Sequence, residues 1–180
     1  MSQRPVSIAN LHPRIRLDAR AVARAVHALD RHHAELARPG SGLSNPGELS
    51  LVFMTDEALA GLHGRFLGDP APTDVITFPY PAPSASGIVG EICISCDAAW
   101  RQARKKAGKG WSLSGELTLY LVHGWLHLAG HDDRVPDKRR AMRRAEALAL
   151  RILRDRGAVP TFSIEAAGKQ KVRAVPRNRG

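Results

Sequence analysis

Residues 116–133 read ELTLYLVHGWLHLAGHDD. Leu117, Leu119, Leu121, Val122, Leu126 and Leu128 dominate the run, and its length and spacing predict a buried helix from about Ser112 to Ala129. His123 and His127 are four apart, so on that helix both imidazoles project from one face, within reach of a single metal ion. Leu119, Val122, Leu126 and Leu128 would bury the helix and hold the pair in a rigid, low-dielectric setting. Gly130 ends the helix and lets the chain turn back, where His131, Asp132 or Asp133 can supply a third ligand. Two histidines four apart occur by chance on many helices. A pair followed by a glycine break and an acidic or histidine cluster is much rarer, and it favours a metal site.

Upstream, short apolar runs alternate with periodic ones. Val6 to Ala9, Glu48 to Met54, Thr73 to Phe78 and Ile88 to Ser95 read as strands. Helices are expected from Asp18 to Ala37, from Thr55 onward, from Cys96 to Ala107, and from Val135 to Arg156 after the histidine helix. Asp18 and Thr55 are N-cap residues, and Asp56 and Glu57 are acids suited to a first turn. Gly68 to Pro72 reads as irregular, and Pro79 to Gly87 as a Pro/Ser-rich loop. The expected fold class is α+β: a small mixed β-sheet packed with about five helices, with the metal site in the C-terminal half of the chain. Residues 1–160 form one expected domain and 161–180 a basic, disordered tail; from Ala166 the apolar pattern is gone and five basic residues stand with no acid.

The chain of 180 residues carries 27 Lys and Arg against 17 Asp and Glu, a net charge of +10, which favours a polyanionic partner such as nucleic acid. No apolar run approaches a membrane span, and the first residues hold no apolar stretch of signal-peptide length, so a cytoplasmic protein without a membrane partner is expected. Arg101, Arg104, Lys105, Lys106 and Lys109 cluster on one predicted helix. Arg139, Arg140 and Arg143 lie on the outer face of the last, whose apolar side is Ala141, Met142, Ala145, Leu148, Ala149, Ile152 and Leu153. So one-signed a face is a footprint for phosphates, with Arg101, Arg104, Lys105, Arg139, Arg140 and Arg143 as candidate RNA-binding residues. Trp100, Trp111 and Trp125 look like core or rim packing, so recognition would be of backbone and shape. Cys93 and Cys96 form an isolated C-x-x-C; read as strand residues three apart they point to opposite faces and share no metal.

The stretch HGWLHLAGHDD at 123–133 resembles the signature of the YbeY family, bacterial zinc-dependent endoribonucleases and rRNA maturation factors, whose pattern runs H-G-x-L-H-L-x-G-[YH]-D-H. PTDVITFP at 72–79 is similar to the family's P-T-D-V-L-S-F-P block, and Gly90-Glu91-Ile92 to its G-D-I; order and spacing agree from about Leu49 to Gly157. The resemblance implies a small mixed sheet with several helices, one zinc ion per chain, and single-strand-specific cleavage of RNA. It further implies work in 16S rRNA 3′-end maturation and ribosome quality control, with the small ribosomal subunit and ribosome-assembly proteins as partners.

Two positions depart from the pattern. The family's third ligand is the histidine six residues after the second, and here that position is Asp133. A carboxylate can bind zinc at about 2.0–2.2 Å, so Asp133 is the favoured third ligand and His131 the alternative. The family's arginine, five residues before the proline of P-T-D, is Leu67, with Arg65 the nearest guanidinium that could clamp a scissile phosphate. Asp132 and Asp74 are candidates to orient ligands or water. Proteases of the H-E-x-x-H type need a glutamate after the first histidine; Gly124 stands there, which argues against peptide hydrolysis. Two further readings remain: an assembly factor that keeps the metal but has lost cleavage with its arginine, and an Fe(II)–oxygen enzyme using two histidines and a carboxylate.

Overall fold

The computed structural model describes residues 3–68, 71, 73–80 and 87–165. The tail from Ala166 and most of the Pro79–Gly87 loop lie outside the described residues. Four strands form the main sheet: β1 (Val6–Asn10), β3 (Glu48–Met54), β4 (Val75–Pro79) and β5 (Ile88–Ser95). Their order is β1-β3-β5-β4; β1, β3 and β5 run parallel, and β4 is antiparallel to β5. The sheet is therefore mixed, as expected.

Alternation along the central strands builds two layers. Leu49, Leu51 and Phe53 of β3, with Ile92 and Ile94 of β5, face the main core. Against them pack α1 (Ala19–Arg31), α4 (Cys96–Lys106), α5 (Leu113–Leu128) and α6 (Pro136–Asp155). On the opposite face Met54, Ile76 and Cys93 meet Leu59 of α3 (Asp56–Leu67) in a smaller cluster. The helix starts follow capping chemistry: Asp18, Thr55, Ser95 and Ser112 each accept a backbone N–H from the first turn.

The structure differs from the sequence reading in three places. The helix expected over 18–37 ends at Arg31, and a single turn, α2 (His33–Leu36), follows. At this break Asp30 is held by Arg4 Nε at 2.8 Å and Trp125 Nε1 at 3.1 Å, and His33 lies edge-on to Trp125. Residues 162–164, assigned to the tail, form β6 (Phe162–Ile164), which pairs antiparallel with the equally short β2 (Ile15–Leu17). Phe162 is buried against Phe53, and the Ser114 hydroxyl bonds both its N–H and its carbonyl, so the folded unit extends beyond residue 160. Cys96 is not a strand residue but opens α4. The two thiols nevertheless lie on opposite faces of the sheet, each free and pushed up to about 12 by burial. Among the described residues no helix is long and apolar enough to cross a membrane.

Candidate metal centre

Helix α5 is held at a fixed depth by the absence of a side chain. A Cβ on Gly124 would stand 2.4 Å from Ile92 Cγ2 of β5 and 3.2 Å from Val75 Cγ1 of β4, so only glycine lets the helix lie this close to the sheet. Gly90 does the same one turn further on, where Leu128 fills the space its Cβ would need. With Gly124 against the sheet, His123 and His127 fall on the accessible flank, their side chains 23% and 26% exposed.

The helix then ends in a Schellman motif. Gly130 N–H donates to His127 O at 3.0 Å, and His131 N–H to Leu126 O at 2.9 Å. Gly130 has φ +92°, a conformation that L side chains rarely adopt. This turn reverses the chain and brings Asp133 over the two imidazoles. His123 Nε2 and His127 Nε2 lie 3.0 Å apart, and the Asp133 carboxylate oxygens lie 4.0 Å from the first and 3.9 Å from the second. One ligand atom from each of the three residues lies within 4.8 Å of the other two, so a small rotation of the Asp133 carboxylate brings all three within reach of one ion at bonds of about 2.0–2.2 Å. Two neutral nitrogens and one carboxylate are also a donor set proper to zinc.

The remaining ring nitrogens are occupied in the way metal-binding histidines require. His123 Nδ1 is 2.7 Å from Glu146 Oε1 on α6, and His127 Nδ1 is 3.2 Å from the His131 carbonyl oxygen. Each acceptor fixes the tautomer and aims Nε2 at the metal position. Burial pulls the His123 imidazole down, but the bond and charge of Glu146, with Asp74 and Asp133, outweigh it and leave it above its ordinary value. His127 is held below its ordinary value by burial and by the charge of His123, with Asp133 opposing.

Among the sequence candidates, His131 is turned away: its Nε2 bonds the Leu36 carbonyl at 2.7 Å, and only its main chain serves the site. Asp132 accepts from Arg134 N–H and Lys138 Nζ, which makes it a turn and helix-entry residue with no described bond to a ligand. Asp74 is close enough for its charge to act on His123, though its own bond is to Val75 N–H. Arg65 is exposed in the last turn of α3, and no described hydrogen bond or ion pair joins it to the three ligands. Of the basic set, Arg139 donates to the carbonyls of Asp133 and Arg134, Arg140 pairs with Asp137, and Arg104 lies 5.8 Å over the Trp100 ring. Lys105 and Arg143 are exposed. Arg101 pairs with Asp56, beside Ser95. Glu146 escaped the sequence reading. Its signal was an acid set on the apolar stripe of the last helix, between Met142 and Ala149.

Comparison with known proteins agrees with this architecture. The family described as Endoribonuclease YbeY matches residues 8–154. An Endoribonuclease YbeY of Pelotomaculum thermopropionicum is 36% identical over 152 residues, covering 81% of this chain and 95% of its own. One from Chlamydia caviae is 38% identical over 115 residues, 62% of this chain and 73% of its own. The solution structure of a Thermotoga maritima protein superposes with a TM-score of 0.51 at 18% identity, over 85% of this chain and 94% of that one, which bears on the fold alone. The match runs from β1 through the histidine helix to the last turn of α6, and with it the chain belongs to the YbeY endoribonuclease family.

Proposed function

We propose that this protein is a metal-dependent endoribonuclease that cuts single-stranded RNA during maturation of ribosomal RNA in the cytoplasm, with Zn²⁺ held by His123, His127 and Asp133. The observation that carries the reading is the three-residue cluster with its two oriented imidazoles, in a family named for RNA cleavage. Three protein ligands leave a fourth position open, as hydrolytic sites need. Zinc bound there supplies Lewis-acid activation of a water and of a phosphoryl oxygen.

The chain's own residues do the rest. Glu146 and the His131 carbonyl hold the rings in register; Asp133 lowers the net charge of the site; Arg139 fixes the main chain that carries Asp133. Gly124 faces the sheet, so no side chain there can act as a protease-type base. A net charge of +10 suits a polyphosphate substrate.

The test is cleavage of a labelled single-stranded RNA and of its duplex by zinc-loaded protein, wild type against His127→Ala. The expected result is cutting of the single strand alone, lost in the variant. Cutting that survives His127→Ala contradicts the proposal. Leu67 at the family's arginine position favours a second reading, a ribosome assembly factor stapled by its metal. Zinc-loaded protein that binds the RNA and leaves it intact supports that alternative.

A further inference from the structure

On the same stripe of α5 as the metal ligands, one turn upstream, stands Tyr120. Residues 120, 123, 124 and 127 follow helical spacing, so Tyr120 precedes His123 by about 4.5 Å along the axis. Beside it lies a hollow of about 280 Å³ lined by Thr73, Asp74, Ala98, Arg101, Gln102 and Tyr120. Its Thr73–Asp74 side leads directly into Val75, the β4 residue that packs against Gly124 between the two histidines, and the Asp74 charge acts on His123. The hollow therefore adjoins the metal centre, and nothing in the arrangement of the three ligands accounts for it.

Its chemistry is mixed and polar. Arg101 is anchored through Nη1 by Asp56, whose other carboxylate oxygen accepts from Ser95 Oγ, so the guanidinium is pre-positioned while its other N–H groups face no described acceptor. Gln102 offers an amide donor and acceptor, Thr73 a hydroxyl, and Asp74 a carboxylate. Burial, reinforced by the charge of Asp74, pushes the Tyr120 phenol up, so it keeps its proton at neutral pH.

We propose that this hollow is the subsite for the ribonucleotide next to the cleaved bond, with Arg101 binding its phosphate and Thr73, Asp74 and Gln102 meeting its ribose hydroxyls and base edge. The assignment rests on the endoribonuclease reading for its place in the reaction, but its binding chemistry stands apart from cleavage. A carboxylate in the wall disfavours a bare phosphate and favours a ligand that also brings hydroxyl or amino donors.

The experiment is a nuclear magnetic resonance titration of the full zinc-loaded chain with adenosine monophosphate, deoxyadenosine monophosphate and inorganic phosphate, paired with RNA kinetics. Adenosine monophosphate should shift the amides of residues 73, 74, 98, 101, 102 and 120, and bind more tightly than the other two. Arg101→Ala should weaken it about tenfold and raise KM for RNA by a similar factor with kcat within about twofold, zinc content unchanged. Gln102→Ala, which has no described bond to Asp56, should weaken binding without touching that anchor. Shifts confined to the histidines, inorganic phosphate binding as tightly as the nucleotide, or both variants binding normally would each overturn the subsite. A chain that binds nucleotide here yet cuts no RNA sinks the proposed activity and leaves the subsite standing. RNA cleavage with an unaltered KM in Arg101→Ala does the reverse.

Discussion

Glu146 bonds the far nitrogen of His123, and on the proposed reading that contact would govern how tightly the site holds zinc. Removing such an acceptor costs about 10–100-fold in metal affinity, so Glu146→Gln should weaken zinc binding by that factor without unfolding α6. A competition titration with a chromophoric chelator measures it, and an unchanged affinity refutes the relay. The same titration separates the two candidates for the third ligand: Asp133→Ala should release the metal, whereas His131→Ala should retain it, because that ring is bonded to Leu36 O. Protons compete at the same atoms. His123 holds its proton to a higher pH than an ordinary imidazole, while His127 gives its own up earlier. Zinc uptake must displace the His123 proton, so apparent affinity should fall by about tenfold per pH unit once the pH drops below the raised His123 pKa. An affinity that stays flat from neutral pH into the acid range contradicts this.

At the scale of elements, Gly124 does what no other residue can. Gly124→Ala forces a methyl into Ile92 and should cost about 1–3 kcal/mol, seen as a lowered Tm with weakened zinc binding; a variant as stable as wild type would mean that α5 is free to shift off the sheet. The long elements were legible because periodicity and capping agree in them: Ser112, Gly130 and the apolar run between mark α5 at both ends, and Thr55 with Asp56 and Glu57 marks the start of α3. The break at His32 was not legible, since the partners of Asp30, Arg4 and Trp125, are remote in sequence. The Glu146 contact with His123 was hidden for the same reason, spanning 23 residues between two helices. Three-residue strands such as β2 and β6 carry too short a pattern to register; only their pairing across the whole chain reveals them.

For the molecule as a whole, β6 ties the end of the described chain to its beginning, so ending the chain after residue 160 should lower Tm markedly relative to ending it after Glu165. Equal melting of the two truncations would deny β6 a structural role. The +10 charge makes a second prediction: RNA affinity should drop by orders of magnitude between about 50 and 200 mM salt, and a flat response would remove the basic helices from the RNA face. Both concern a fold that brings His123, His127 and Asp133 together in a group that could hold one ion. The most direct check is elemental analysis of the purified, dialysed protein beside Asp133→Ala and a double His123→Ala, His127→Ala variant. The proposed metal centre requires close to one zinc per wild-type chain and none in the double variant, with Asp133→Ala losing its metal on dialysis. A wild-type chain that takes up no divalent metal from excess zinc, or a double variant that keeps a full complement, would contradict it.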